Sequence, residues 1–332
     1  MVLIVRPKEL VDLIDISEAI DAIEDGYRAW GRDHAINAPR QVIHKRVRLA
    51  AHQALVPSQG VVGIFAHIHD DDAASLVFDS ESGTLEAIVI GRIACGPPIS
   101  GAVDLRTPAT SAVATRALAR SDARTVGIIG SGRQARGHLA AIAAVRDVRL
   151  ARVFSPTIEH RDSFAEQMAA AFDLEVTAVS SAREAVEGMD IVLVMTATAE
   201  PVLLGDWLSP GQHVTSVMGG NTPLDAKGKP TRAPRRDFDN AVIRRSDVLV
   251  INAREQARQD WQGDIMEPIQ DGVLTWERVF ELGELLDGRA PTRTKADQIT
   301  VYKNNGGQGV ADMALAGLAV ARARERGIGV EI

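Results

Sequence analysis

Six residues near the middle of the chain, Gly130-Ser131-Gly132-Arg133-Gln134-Ala135, have the types and spacing of a turn that holds phosphate. They follow the apolar run Val126 to Ile129 directly and open the helical stretch Gln134 to Val145. Gly130 permits the tight turn, Gly132 lets backbone approach a pyrophosphate, and the small Ala135 stands where a third glycine would let helix pack closely on strand. The anion then meets the unpaired N–H groups and positive dipole end of the helix. A bare glycine pattern is also compatible with a turn that binds nothing. The strand before it and the helix after it favour a nicotinamide dinucleotide, held by Gly130, Ser131, Gly132, Arg133 and Gln134.

Which dinucleotide depends on the end of the following strand. An acidic residue there would bind a ribose 2′-hydroxyl. This chain instead runs Val153-Phe154 into Ser155-Pro156-Thr157, with Arg161 beyond. Hydroxyls and a cation at Ser155, Thr157 and Arg161 suit a 2′-phosphate, so NADP is expected and NAD is the alternative. The competing reading makes Ser155 or Thr157 a helix cap. In an open parallel sheet the ligand lies at the carboxyl ends of the strands. Thr196-Ala197-Thr198 and Met218-Gly219-Gly220-Asn221 end two such strands and should border the nicotinamide.

The surrounding pattern supplies the elements that hold these residues. Apolar spacing of three and four predicts an amphipathic helix over 9–31. Short β-like runs follow at 47–50, 60–68, 74–78 and 85–90 and predict a sheet of mixed or antiparallel strands. An alanine-rich helix is expected over 107–120, and a domain boundary at Ser121-Asp122-Ala123. Beyond it, strand candidates at 125–129, 149–154, 191–195, 213–217 and 248–251 alternate with helices, which implies a parallel sheet with right-handed crossovers. A last helix, 309–326, follows the glycine-rich turn at Asn304 to Gly309. The fold class expected is α/β, with a Rossmann domain after the Ser121 boundary, a smaller α+β domain before it, and a last helix that packs back on that first domain. No internal repeat is present.

Composition narrows the function classes. With 332 residues, two cores are expected. A net charge of −7 argues against a broad nucleic-acid surface. Cys95 is the single cysteine, so no intrachain disulfide or cysteine metal cluster can form. His67, His69 and Asp70 to Asp72 are read as a strand end and a solvated turn, and no metal is expected. No stretch approaches the roughly 20 apolar residues of a membrane span, and a cytoplasmic, membrane-free protein is expected.

Further residues add a family resemblance. Pro39-Arg40, Arg106-Thr107-Pro108-Ala109-Thr110-Ser111-Ala112, the Gly130 turn with Gln134, and Met218-Gly219-Gly220 stand in an order that resembles the ornithine cyclodeaminase/mu-crystallin family. Glu255-Gln256, Gly263-Asp264, Glu281 to Leu285 and Ile299 to Tyr302 extend the likeness over nearly the whole chain. The resemblance implies homodimers in which residues 1–120, completed by 308–332, form a substrate-binding and dimerisation domain around an inserted Rossmann dinucleotide-binding domain, 121–307. It puts Arg40 and Arg106 where the family holds a substrate carboxylate, a role that suits the planar, always charged guanidinium. The other reading of Arg106 is an ion pair with Asp104. Thr107, in the first turn of its helix, is expected to meet cofactor phosphate. Lys303 and Asn304 stand in the stretch that closes over the nicotinamide in relatives, and Asp312 matches an acidic family position.

Two departures matter. Where cyclodeaminating members carry a lysine in the strand, this chain has Phe65, and where they carry a proton-transferring acid after the glycine pair it has Asn221. An amide cannot accept that proton. A standard ornithine cyclodeaminase is therefore not expected. Side chains alternate along a strand, so His67 shares a face with Phe65 and could exchange a proton near neutrality. Lys303 is a second candidate donor. The function expected is an NAD(P)-dependent oxidoreductase acting on a small carboxylate-bearing amine, imine, hydroxy or keto compound. The alternatives are a non-catalytic NADPH-binding crystallin-like protein and a cyclodeaminase with relocated acid and base.

Overall fold

The computed structural model describes residues 1–44, 48–68, 72–96, 99, 104–196, 198–217 and 230–332. The chain forms two compact units, one of residues 1–113 with 307–332 and one of residues 114–306. The division falls inside a helix, α2 below, and not at Ser121.

In the first unit, helix α1 (Ile16–Gly31) begins later than its apolar periodicity suggests. Asp15 explains the start: its carboxylate accepts from the backbone of Ser17 at 2.7 Å and Glu18 at 2.9 Å, and the Glu18 carboxylate in turn accepts from Asp15 N at 3.2 Å. Residues before it form only a short 3-10 turn at Pro7–Glu9, and Asp12 at φ 59° is incompatible with a continuous helix. Strands β1 (Leu3–Val5), β2 (Ile36–Asn37), β3 (Gln41–His44), β4 (Arg48–Val56), β5 (Val61–His67), β6 (Ala73–Asp79) and β7 (Leu85–Ile90), with a last short strand Val330–Glu331, make one sheet. The meander β4-β5-β6-β7 is antiparallel and β1 joins β7 in parallel, so the sheet is mixed. One sheet face carries Ala50, His52, Ala54, Phe65, Val77 and Val89, all buried. Helix α2 (Arg106–Leu118) and the C-terminal helix (Gly309–Arg326) contribute to this unit, the latter packing on α1, β4 and β5. Asn37 helps to start the C-terminal helix by accepting from Val310 N at 3.1 Å.

The second unit is a parallel sheet of eight strands among the described residues: β8 (Thr125–Ile129), β9 (Leu150–Phe154), β10 (Glu175–Ala178), β11 (Ile191–Val194), β12 (His213–Ser216), β13 (Val248–Ile251), β14 (Val279–Glu281) and β15 (Thr300–Lys303). Their order is 10-9-8-11-12-15-13-14, and every pairing is parallel. β11, β12 and β13 are buried along their whole length, as expected of strands covered on both faces. The order of strands reverses between β8 and β11, the switch point at which doubly wound sheets open a crevice for a ligand. Helix α3 (Arg133–Ala143) leaves β8 there, and α4 (Ile158–Phe172) follows β9.

Candidate active site

The turn after β8 has the conformation its glycines imply. Gly130 sits at φ 107°, and a Cβ there would lie 2.6 Å from the Met195 carbonyl oxygen. Gly132 is the N-cap of α3 and supplies no side-chain cap, while the space around its Cα is open. Gly132 and Arg133 are exposed, and Ala135 is fully buried beneath them. Arg136 Nη1 donates to Ser131 O at 2.8 Å and braces the loop from behind. The side-chain oxygen of Gln134 is buried with no hydrogen-bond partner among the described residues. At the end of β9, Ser155 is buried and its carbonyl accepts from Arg161 Nη1 at 3.1 Å, with the guanidinium 5.9 Å from the Phe154 ring centre. Thr157 occupies the N-cap position of α4, but its side chain makes no capping bond. At the end of β11, the Thr196 and Thr198 hydroxyls are 3.2 Å apart, and Thr198 also donates to Glu200 O.

Lys303 differs from expectation. It is the last residue of β15, paired in register with Ser216 of β12, and is fully buried. Its Nζ lies 2.6 Å from Asp237 Oδ2, 2.7 Å from Asp264 Oδ2 and 2.8 Å from Ser216 Oγ. Burial opposes its charge, but the two carboxylates outweigh it and raise the pKa. Burial, helped by Asp237 and opposed by Lys303, pushes the Asp264 carboxyl up to about 6. Lys303 is thus an internal cation with its donors committed, and the proton-donor role expected from sequence is corrected. Asn304 is also buried. Its backbone N donates to Ser216 O at 2.8 Å, tying the end of β15 to β12, and its Oδ1 accepts from Asn252 Nδ2 at 2.9 Å.

In the first unit, the ends of three elements bring a second set of charges together. Asp104 Oδ1 accepts from Arg106 N at 3.0 Å and starts α2. Arg106 is buried, and its Nε donates to Asp312 Oδ1 at 3.1 Å, while Asp104 Oδ2 is 3.7 Å from its Nη2. Both readings of Arg106 thus have a counterpart, a buried guanidinium and a looser pairing with Asp104. Asp312, in the first turn of the C-terminal helix, places its other oxygen 2.6 Å from His52 Nδ1. Burial would raise the Asp312 pKa, but Arg106 and His52 hold it below the usual carboxylate range. His52 stands opposite Phe65 in the β4–β5 register, with ring centres 5.7 Å apart, and His67 is 5.5 Å from His52 and 5.4 Å from Phe65. Arg92 lies 5.3 Å from the Phe65 ring centre and donates to Asp104 at 3.2 Å. Phe65, Ser75, Arg92, Asp104, Arg106 and Asp312 line one cleft. Arg40 is buried, and its charge is felt at His52. Thr107 is buried in the first turn of α2.

His67 is half-buried, and burial, followed by the positive charge of Arg92, lowers its pKa to about 3. The expectation that it titrates near neutrality is therefore corrected: in the protein alone it is a neutral imidazole.

Residues 66–327 match the sequence model of the Ornithine cyclodeaminase/mu-crystallin family. The chain belongs to this family. A Sinorhizobium fredii protein described as an uncharacterized cyclodeaminase is 31% identical over 327 residues, covering 94% of this chain and 92% of its own. The Δ1-pyrroline-2-carboxylate reductase of Bacillus cereus is 31% identical over 229 residues, 69% of this chain and 66% of its own. The structure of Thermococcus litoralis Δ1-pyrroline-2-carboxylate reductase in complex with NADH and L-proline superposes with a TM-score of 0.86 at 28% identity, covering 99% of this chain and 100% of that one.

In this member of the ornithine cyclodeaminase/mu-crystallin family, the chemistry-bearing residues fall into two groups. Gly130 to Gln134, Ser155, Thr157, Arg161, Thr196 and Thr198 belong to the parallel sheet unit, as do Lys303 and Asn304. Arg40, Phe65, His67, Arg106 and Thr107 belong to the other. Asn221, Ala197, Met218 and Gly219 lie outside the described residues, as do Gly220, His69, Asp70 and Asp71. Sequence reasoning missed His52. Alternation along β4 and its pairing with β5 were the signals that could have found it, since they put His52 directly across from Phe65.

Proposed function

We propose that the protein is an NAD(P)H-dependent reductase of a small cyclic imine bearing a carboxylate, of the Δ1-pyrroline-2-carboxylate type, and that it oxidises the corresponding amine in reverse. The observation that carries this reading is the buried pair Arg40 and Arg106 in a unit where Phe65 replaces the family lysine. Asp312 fixes Arg106 through Nε, so the guanidinium is oriented before an anion arrives. A carboxylate held in this way brings its α-carbon and nitrogen to a defined place. Phe65 gives that place an apolar wall, which suits a ring of methylene groups better than the free amino-alkyl chain of a diamine.

The second unit fits a dinucleotide on its own observations. The first turn of α3 lacks a side-chain cap, Gly132 leaves its approach open, and Gln134 carries a buried oxygen that awaits a donor. Ser131, Gly132, Arg133 and Gln134 would hold the pyrophosphate there, and Thr107 is proposed as a further phosphate contact. When bound, the nicotinamide supplies or accepts the hydride. Ser155, Thr157 and Arg161 would receive a ribose 2′-phosphate, which favours NADP over NAD. Thr196, Ala197, Thr198, Met218, Gly219 and Asn304 would border the nicotinamide, and Asn221 would orient the reacting group by hydrogen bonds.

A homodimer is proposed from the outer face of the first unit's sheet. Val62, Ile64, Leu76, Phe78, Ile88 and Ile90 line it, half-buried or exposed, and such an apolar face calls for a partner surface. Among the described residues no helix is long and apolar enough to cross a membrane. We place the protein in the cytoplasm on its single cysteine.

Fluorescence titration with NADPH and NADH, followed by cofactor oxidation with Δ1-pyrroline-2-carboxylate, tests the reading. Binding with oxidation supports it and chooses the cofactor. Binding without turnover on any carboxylate-bearing imine or ketone would leave a carrier, and failure to bind either dinucleotide would remove the proposal.

A further inference from the structure

The imidazole of His52, inside the Arg106 cluster, uses only one of its two nitrogens in the protein alone. His52 is 1% exposed, and its Nδ1 is 2.6 Å from Asp312 Oδ2. Its Nε2 is buried and has no hydrogen-bond partner among the described residues. A buried polar atom left without a partner costs stability, so its retention asks for a reason. The backbone is also shaped around this ring. A Cβ on Gly307 would lie 2.3 Å from His52 Cε1 and 2.9 Å from Arg106 Nη2, so chain and side chains meet there as closely as glycine allows.

Asp312 is a carboxylate and can only accept, which puts the proton of neutral His52 on Nδ1 and the lone pair on Nε2. Burial is the largest influence that keeps the ring neutral; of the charged groups, Asp312 favours the imidazolium and Arg106 and Arg40 oppose it, and His67 is the other titratable neighbour. A substrate carboxylate bound by the two arginines offsets their charge and leaves Asp312 to stabilise the protonated ring. Substrate thus removes the opposing charge, while burial and the Asp312 contact stay as they are.

We infer that His52, positioned by Asp312, is the catalytic residue that exchanges the proton on the substrate nitrogen, in place of the charged groups this chain lacks at Phe65 and Asn221. This rests on the reductase reading above. In the oxidative direction His52 Nε2 takes one proton from the secondary ammonium. The freed nitrogen lone pair forms the C=N bond as hydride leaves the α-carbon for the oxidised nicotinamide dinucleotide, and the product is the protonated imine. Reduction runs these steps backwards. Hydride from the reduced dinucleotide adds to carbon of the protonated imine, the C=N electron pair returns to nitrogen, and the imidazolium gives its Nε2 proton to that nitrogen to form the secondary ammonium. Asp312 carries no proton at any stage and acts as a positioning residue.

The experiment uses full-length protein labelled with [15N]histidine and saturated with oxidised cofactor, with His52→Asn to assign the signal and L-proline as the probe. An asparagine amide can still donate to Asp312, so the cluster keeps its hydrogen bond while Nε2 is lost. We expect the His52 signals of the unmutated protein to report a protonated Nδ1 and a bare Nε2. On adding L-proline the Nε2 signal should move toward the protonated position. His52→Asn should retain L-proline binding within about threefold, while kcat falls about 100- to 10,000-fold, the range of a lost general acid–base group. If His52→Asn does not fold, Asp312→Asn serves: its imidazolium lacks the counter-charge, and the pH at which kcat is half-maximal in oxidation should shift. L-proline bound with an unmoved Nε2 signal, full kcat in His52→Asn, or an unshifted pH profile in Asp312→Asn would overturn this inference and leave the reductase standing. Absence of both dinucleotide and L-proline binding would remove the reductase reading itself.

Discussion

Arg106 combines two demands on one side chain, being charged yet buried, and Asp312 and Asp104 make that tolerable by surrounding it with acceptors. A lysine at this position would keep the charge but not the planar fork. Arg106→Lys is expected to raise KM for the carboxylate substrate roughly 10- to 100-fold, the loss of about 1.5–3 kcal/mol of charge-assisted hydrogen bonding, with a smaller change in kcat. Steady-state kinetics checks this, and an unchanged KM would place the carboxylate elsewhere. Lys303 is the contrasting case. Its charge is matched by Asp237 and Asp264 inside the parallel sheet unit, where it ties the ends of β12 and β15 to the segments that carry the two acids.

Among the elements, the β8–α3 turn has the narrowest tolerance. Gly130 combines a left-handed backbone with a close approach to the Met195 carbonyl, so an added methyl group is both strained and crowded. Gly130→Ala should lower stability by about 1–3 kcal/mol and abolish the fluorescence change with NADPH. A variant that melts normally and still binds would show that the turn is not the pyrophosphate site. The start of α1 offers a milder test, because Asp15 caps it with two backbone bonds. Asp15→Ala should cost about 1 kcal/mol in urea melts without changing cofactor binding.

The whole molecule is expected to respond to acid through its buried histidines. His138 is held neutral by burial, with a pKa of about 4, and so is His213, at about 3, among the hydroxyls of Thr115, Thr215 and Thr300. The unfolded chain takes up these protons at about pH 6.5, the folded protein only at lower pH, so stability is lost as pH falls through that window. Asp264 works in the opposite sense. It keeps its proton up to about 6 in the folded state and releases it near the ordinary carboxylate value when unfolded, so its contribution is lost as pH rises from that value through 6. His67, lowered to about 3, acts in the same direction, so with three histidines against one carboxylate stability should drop by about 1 kcal/mol or more per pH unit on acidification below pH ~6. Urea melts across that range decide it, and a rise in stability on acidification would contradict the burial of the rings. Assembly is tested at the outer sheet face, where Leu76→Asp should convert dimer to monomer in sedimentation velocity.

Features that depend on neighbours along the chain were legible before any fold was known. The apolar run before Gly130, the helix after it and the alternating β-α pattern were enough to predict the strand, turn and helix at Gly130 within a parallel sheet, and the C-terminal helix falls on the residues its composition marks. Local signals also misled in local ways: periodicity ran the first helix back to residue 9, where the Asp15 cap and the positive φ of Asp12 stop it. Which charges meet, by contrast, is settled by folding alone. His52, Arg106 and Asp312 come from β4, α2 and the C-terminal helix and are far apart in the chain, as are Lys303, Asp237 and Asp264. Protonation follows the same rule. Burial and the field of distant residues set the charge of His67 and Lys303, and neither quantity is written in the residues beside them.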